Sequence, residues 1–306
     1  MAGKESMEDF TTPINWYPGH MARTKRLLSE QIRKVDLVLE LCDARLPHSS
    51  RNPEIRKLAA GKKQIVLLNK ADLADQTETV KWLSAIRRTG LEAYAIDSTK
   101  LKSKELISLI QKSTRESAEK ALARGFHKNI RVMVLGVPNV GKSTMINSLR
   151  GKGIARTGDR PGVTLNNQWI RISPYLELLD TPGLLWPRLD DQQAARRLCY
   201  IGSVKDDVTD LYELAISLLE ELMNTCPEST MNRFHITQAD LNGHELIKAA
   251  CKGRGWLLKG NEYDFDRASR IILDEFRDGR LGRITLEKEG ANNDQQGRTD
   301  KESDSF

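Results

Sequence analysis

Apolar runs of strand length recur along the first 180 residues, at 35–41, 65–68, 93–96, 131–135, 168–172 and 176–179. Between them lie segments with the mixed polar spacing of helices. This alternation predicts an α/β domain with a mostly parallel sheet and helices on both faces. A further helix precedes the first run, following residue 20, its apolar positions Met21, Leu28, Ile32 and Val35 turned inward. The pattern then changes. Leu211, Leu214, Ala215, Leu218, Leu219 and Leu222 fall at helical spacing, as do Ala268, Ile271, Ile272 and Phe276, with Gly279 placed as a C-cap glycine. Such stripes are packing faces, so a small helical domain is expected after the α/β domain. From about residue 287 the chain is polar and unable to order by itself. The expected organisation is a flexible 1–13, an α/β domain over 14–189, a helical domain over 190–287 and a disordered tail over 288–306.

Length and composition agree, since 306 residues suggest about two domains and 39% hydrophobic residues can support a sizeable core. No stretch approaches the ~18 continuous apolar residues of a membrane span. The first nine residues are too acidic for a transit peptide and lack the apolar core of a signal peptide, which points to the cytoplasm. Cys42, Cys199, Cys226 and Cys251 are widely spaced and read as reduced thiols, with neither zinc nor disulfides. The net charge of +6 suits a polyanionic partner. Basic residues gather around Arg23, Lys25, Arg26, Arg33 and Lys34. A second group runs from Lys248, Lys252, Arg254 and Lys259 through Arg267, Arg270, Arg277, Arg280 and Arg283, interleaved with Trp256 and Tyr263. Solvated helix faces are the plain alternative for both groups.

The chemistry begins at Gly136-Val-Pro-Asn-Val-Gly-Lys-Ser143, a G-x-x-x-x-G-K-[ST] loop between the strand at 131–135 and a helix start at Ser143-Thr144. Gly136 and Gly141 let the backbone turn its N–H groups around a polyphosphate at a helix N-terminus. Asn139, Val140, Gly141 and Thr144 then line the phosphates, Lys142 reaches the β/γ-phosphates and Ser143 ligates Mg²⁺. A Gly-rich turn without a ligand is the bland alternative. Downstream, Asp180-Thr-Pro-Gly183 closes a short strand in the D-x-x-G form, which places a carboxylate near the water shell of the metal and the Gly183 N–H on the γ-phosphate. Thr164, in the loop between them, is the candidate second hydroxyl on Mg²⁺.

Base recognition falls to Asn69-Lys70-Ala71-Asp72, which follows an apolar strand. The Asp72 carboxylate can accept from the guanine N1–H and exocyclic amine, a donor pair that adenine lacks, so the nucleotide is GTP. A site made to pair those donors rejects an analogue without them by several powers of ten. Asp97 and Ser98, ending another short strand, are the expected support for the other edge of the base. The order is the unusual feature: the base motif precedes the phosphate loop instead of following it. Joined ends and new termini are physically possible because the ends of a compact α/β domain often lie close together. The joining segment is expected over 113–127 as a helix and turn.

These residues, with Asn15-Trp-Tyr-Pro-Gly-His-Met21, Asp43-Ala-Arg-Leu-Pro-His-Ser-Ser-Arg-Asn-Pro53 and Leu184-Leu-Trp-Pro187, resemble the circularly permuted GTPases. Within them, the chain is similar to the ribosome biogenesis GTPase A group of bacteria over residues 14–286. The resemblance implies a GTPase that binds the immature large ribosomal subunit and assists its late assembly. It favours rRNA phosphates as the partner of the basic groups, and the chain is expected to be monomeric.

Ras-like enzymes place a water-orienting Gln after D-x-x-G, but Leu184 stands here and cannot orient water. His20, at an expected helix N-terminus, is a candidate to position the water; capping the helix or touching rRNA are its alternatives. Some GTPases use an asparagine placed like Asn139 to help hold K⁺, and an ordinary loop residue is the other reading. The expected function is a slow GTPase, stimulated by the particle, whose hydrolysis drives release. The alternatives are a GTP-dependent RNA-binding placeholder with little turnover, or a GTPase of tRNA modification or signalling.

Overall fold

A computed structural model describes residues 21–150, 168–180, 191–204, 206 and 209–290. Its centre is a six-stranded sheet of β1 (Leu37–Asp43), β2 (Lys63–Asn69), β3 (Glu92–Ala95), β4 (Ile130–Leu135), β5 (Gln168–Ser173) and β6 (Leu176–Asp180), in the spatial order β3-β2-β1-β4-β6-β5. All pairings are parallel except β5 with β6. The expectation of a mostly parallel sheet holds, and each strand anticipated from the apolar pattern is present.

β1 shows why both faces are covered. Leu37, Leu39 and Leu41 alternate with Val38 and Cys42, so successive side chains enter opposite layers. Val38 packs with Leu28 and Ile32 of α1 (Met21–Ile32) and Ile55 of α2 (Pro53–Leu58). On the same face, Cys42 joins Leu83 and Ile86 of α3 (Gln76–Arg88). The leucines of the other face meet Leu106 and Ile110 of α4 (Ser103–Leu122) and Met145, Ile146 and Leu149 of α5 (Lys142–Arg150). α4 and the turn at Gly125, where φ is 83°, form the joining segment and deliver the chain to β4. β4 lies beside β1, so segments some ninety residues apart become neighbours. That adjacency sets the phosphate-loop strand next to the first strand of the chain.

The helical part comprises α6 (Gln192–Tyr200), α7 (Leu211–Thr225), α8 (Pro227–Phe234), α9 (Gly243–Arg254) and α10 (Phe265–Arg277). Asp191, Asp210 and Asp264 cap α6, α7 and α10 by accepting from main-chain N–H groups of the first turn. Pro227 begins α8, and Gly279, at φ 73°, follows α10 as expected. Leu214, Leu218, Leu222 and Phe276 of the anticipated stripes are buried, and their cluster is continuous with Leu39, Leu41, Val134 and Val137 of the α/β part. The two parts therefore share one core.

After α10 the chain turns back onto the α/β part. Leu286 N–H donates to Arg45 O at 3.0 Å, and Trp82 Nε1 donates to Glu287 O at 2.8 Å. Glu287, where the sequence turns polar, is buried and accepts from the main-chain N–H groups of His48 and Ser49. Most of the expected tail lies outside the described residues. Among the described residues no helix is long and apolar enough to cross a membrane.

Candidate nucleotide-binding site

β1, β2, β3 and β4 run in the same direction, so the loops that follow them emerge along one edge of the sheet. In open parallel sheets the crevice beyond these carboxyl ends is the ligand-binding position. The edge carries the phosphate loop after β4, Lys70 to Asp72 after β2, and Asp97 and Ser98 after β3.

The phosphate loop is tightly determined. A Cβ on Gly136 would lie 2.4 Å from Leu41 O, so only glycine lets β4 leave the sheet this close to β1. Asn139 and Gly141 adopt φ values of 61° and 97°, the left-handed turns that curl an anion-binding loop. Gly141 O then accepts from Met145 N–H at 2.9 Å as α5 begins. Lys142 is buried, and its Nζ donates to Gly136 O at 3.1 Å and Val137 O at 2.6 Å. Ser143 is half-buried and Thr144 exposed in the first turn of α5. The Ser143 hydroxyl is an oxygen donor of the kind that Mg²⁺ takes.

Asn69 connects the loops. Its Nδ2 donates to Val140 O at 2.7 Å, while its Oδ1 accepts from Ser98 N–H at 2.9 Å and Ser98 Oγ at 2.8 Å. A Cβ on Gly141 would come within 2.3 Å of Asn69 Nδ2, so a second glycine is required where the base motif meets the phosphate loop. Ala71 N–H donates to Ile96 O at 3.1 Å and draws the Asp97 loop alongside. Burial alone would raise the Asp97 carboxyl, but hydrogen bonds from Thr99 and the Lys100 ammonium outweigh it and lower its pKa. Asp72 itself is half-buried between these loops.

Lys70 sits at φ 58° and extends its ammonium to Asp43 Oδ2 at 3.1 Å. Asp43 is fully buried and also takes both Nε and Nη2 of Arg45 at 2.9 Å. Burial pushes the Asp43 carboxyl up, yet Arg45 and Lys70 together hold it well below the usual carboxylate range. The remaining Arg45 donor, Nη1, reaches Phe276 O at 2.6 Å at the end of α10. In the sequence, Asp43 and Arg45 belong to a segment that carries the family resemblance but gives neither residue a place in the pocket. The signal was available in a buried strand ending on an aspartate two residues before an arginine.

A second bridge joins the phosphate loop to the helical part. Asn139 Nδ2 donates to Gly202 O, and Ser203 Oγ donates to Pro138 O at 2.7 Å. Arg277 of α10 braces the same turn through Tyr200 O at 3.0 Å and Asp206 at 2.7 Å. Arg277 and Arg254, which is bound to Glu275, are thus occupied within the fold, and Trp256 is a core residue. Lys252, Lys259, Arg267, Arg270, Arg280 and Arg283 are exposed. His20, Thr164, Gly183 and Leu184 lie outside the described residues, as does the side chain of Asp180, whose main chain ends β6.

Comparison with known proteins agrees with this geometry. Residues 131–239 match the family described as 50S ribosome-binding GTPase. Over 276 residues the chain is 41% identical to ribosome biogenesis GTPase A of Bacillus cereus, covering 90% of this chain and 93% of that protein. The structure is similar to GNP-bound YlqF from T. maritima, with a TM-score of 0.63 and 26% identity over 87% of this chain and 98% of the other. It is likewise similar to GDP-bound YlqF, with a TM-score of 0.62 and 26% identity over 86% and 99%. With base motif and phosphate loop joined through Asn69 in permuted order, the chain is a circularly permuted GTPase and belongs to the ribosome biogenesis GTPase A family.

Proposed function

We propose that this GTPase binds immature large ribosomal subunits in its GTP form, assists their late assembly, and leaves when the particle stimulates hydrolysis. The observation that carries the reading is the convergence of three loops on Asn69, which builds a guanine-nucleotide pocket within a chain like a ribosome biogenesis GTPase. In this reading Asp72 recognises the base and Asn69 aligns its loop, with Asp97 and Ser98 supporting the second edge. Val140, Gly141, Lys142 and Thr144 hold the phosphates, and Gly183 senses the γ-phosphate. Ser143 and Thr164 would hold Mg²⁺, with Asp180 near its water shell, and the ion would supply charge neutralisation to the phosphate oxygens.

Catalysis draws on the particle and on His20, which we assign to positioning the water because Leu184 cannot. With Nδ2 of Asn139 engaged by Gly202 O, its Oδ1 is the atom left to a K⁺ ion beside the phosphates. The exposed basic side chains of α9, α10 and their flanking turns supply the contacts to rRNA, which are shape-directed and salt-sensitive. The chain acts as a cytoplasmic monomer. Co-sedimentation with large-subunit precursors tests this. A non-hydrolysable GTP analogue should carry the protein into the particle fraction and GDP should not; equal sedimentation in both would refute the switch.

A further inference from the structure

The guanine loop is held from outside by the segment that follows α10. Ile284 N–H donates to Leu73 O at 3.0 Å, directly after Asp72. Thr285 is buried, and its Oγ1 accepts from Asp75 N–H at 3.1 Å and donates to Ala44 O at 3.4 Å. Ala44 N–H in turn donates to Asn69 O at 2.8 Å. Gly279 presses on the same loop, since a Cβ there would lie 2.6 Å from Leu73 Cδ2. The loop from Lys70 to Asp75 is thus fixed on its inner side by Asp43 and Asn69 and on its outer side by residues more than two hundred positions away.

A carboxylate discriminates between bases only while it is held where both donors can reach it. Two hydrogen bonds to one planar edge tolerate little displacement, and misplacement of a fraction of an ångström weakens them steeply. Asp72 immediately precedes Leu73, the first residue that the strap grips, so the strap bears on how well it is placed. We infer that Thr285 is a positioning residue for guanine specificity, fixing the Asp72 loop through Asp75 and Ala44, with residues 279–287 acting as a strap on the base site. The inference rests on the assignment of Asp72 as the guanine reader. It also gives the segment beyond α10 a role in nucleotide recognition, so that the helical part and the base site depend on each other.

The test measures the affinities of the full chain for GDP and for inosine diphosphate, which lacks the exocyclic amine, in Thr285→Val, Thr285→Ser and Gly279→Ala. The ratio of the two affinities reports base reading and is insensitive to a general loss of folded protein. Thr285→Val removes the acceptor for Asp75 N–H and should lower GDP affinity by about tenfold, the scale of one hydrogen bond, with a smaller loss for the inosine nucleotide. The ratio therefore narrows. Thr285→Ser keeps the hydroxyl and should restore it. Gly279→Ala crowds the Leu73 side chain from another point of the strap and should narrow the ratio independently, which decides the matter should Thr285→Val not fold. A wild-type ratio in either folded variant overturns the inference while leaving the guanine pocket intact. A ratio near one in the unaltered protein overturns the guanine assignment and the inference with it.

Discussion

Asn69 and Val140 are joined by a 2.7 Å hydrogen bond from the side-chain amide to the main-chain oxygen, and this contact stitches the base motif to a phosphate loop seventy-one residues later in the chain. The same side chain accepts two hydrogen bonds from Ser98. Asn69 therefore acts as the hub that joins parts lying far apart in the permuted chain.

Replacing that hub should loosen three loops together. Each lost hydrogen bond contributes about 1 kcal/mol net, so Asn69→Ala should weaken GDP by roughly 10²-fold. Titration with a fluorescent GDP analogue reads the loss, and an affinity within twofold of the unaltered protein would show that the hub does not shape the site.

Base choice gives a second prediction. Xanthine carries a carbonyl where guanine carries its amine, so Asp72→Asn should replace a carboxylate acceptor with an amide donor suited to it. The variant should bind xanthosine diphosphate better than GDP by at least about tenfold. Competition between the two nucleotides measures this, and retained guanine preference would remove Asp72 from the base site.

The third prediction concerns acid. Arg45 and Lys70 overcome the burial that alone would raise the Asp43 carboxyl, so its native pKa lies below the unfolded value of about 3.9. A depressed carboxylate contributes stability that is present above the unfolded pKa and is lost as pH falls towards the native one. Urea midpoints should hold near neutrality and decline below about pH 4. Asp43→Asn strands the buried Arg45 guanidinium, should cost about 3–5 kcal/mol at pH 7, and should flatten the acid decline. An unchanged acid slope in the variant would locate the titrating group elsewhere.

His20 supplies the fourth. If it positions water, His20→Ala should reduce particle-stimulated turnover by about 10²-fold with GTP affinity unchanged, and the defect should persist at saturating particles. A defect relieved at saturation would instead make His20 a docking residue.

The local elements of this fold are legible in the sequence because their signals are contiguous. β4 through α5 can be read from residues 130–144 as strand, glycine loop and helix start, and β2 with Asn69 to Asp72 in the same way. Long-range ties carry no such pattern. Nothing beside Arg45 announces Phe276, and nothing beside Asp75 announces Thr285. Glu287 reads as the start of a polar tail, yet main-chain donors of His48 and Ser49 compensate its burial. Arg254 and Arg277 look like surface cations until Glu275 and Asp206 are seen opposite them. The pocket motifs were thus readable one by one, and what joins them was not.

The most direct test of the whole account is GTP turnover by the isolated protein, measured alone and with saturating immature large-subunit particles. The account predicts slow hydrolysis alone, on the order of 10⁻⁴ to 10⁻² s⁻¹ as for switch GTPases without their activator, and a rise of at least about 10²-fold with particles. A rate unchanged by particles, or already fast without them, would contradict it.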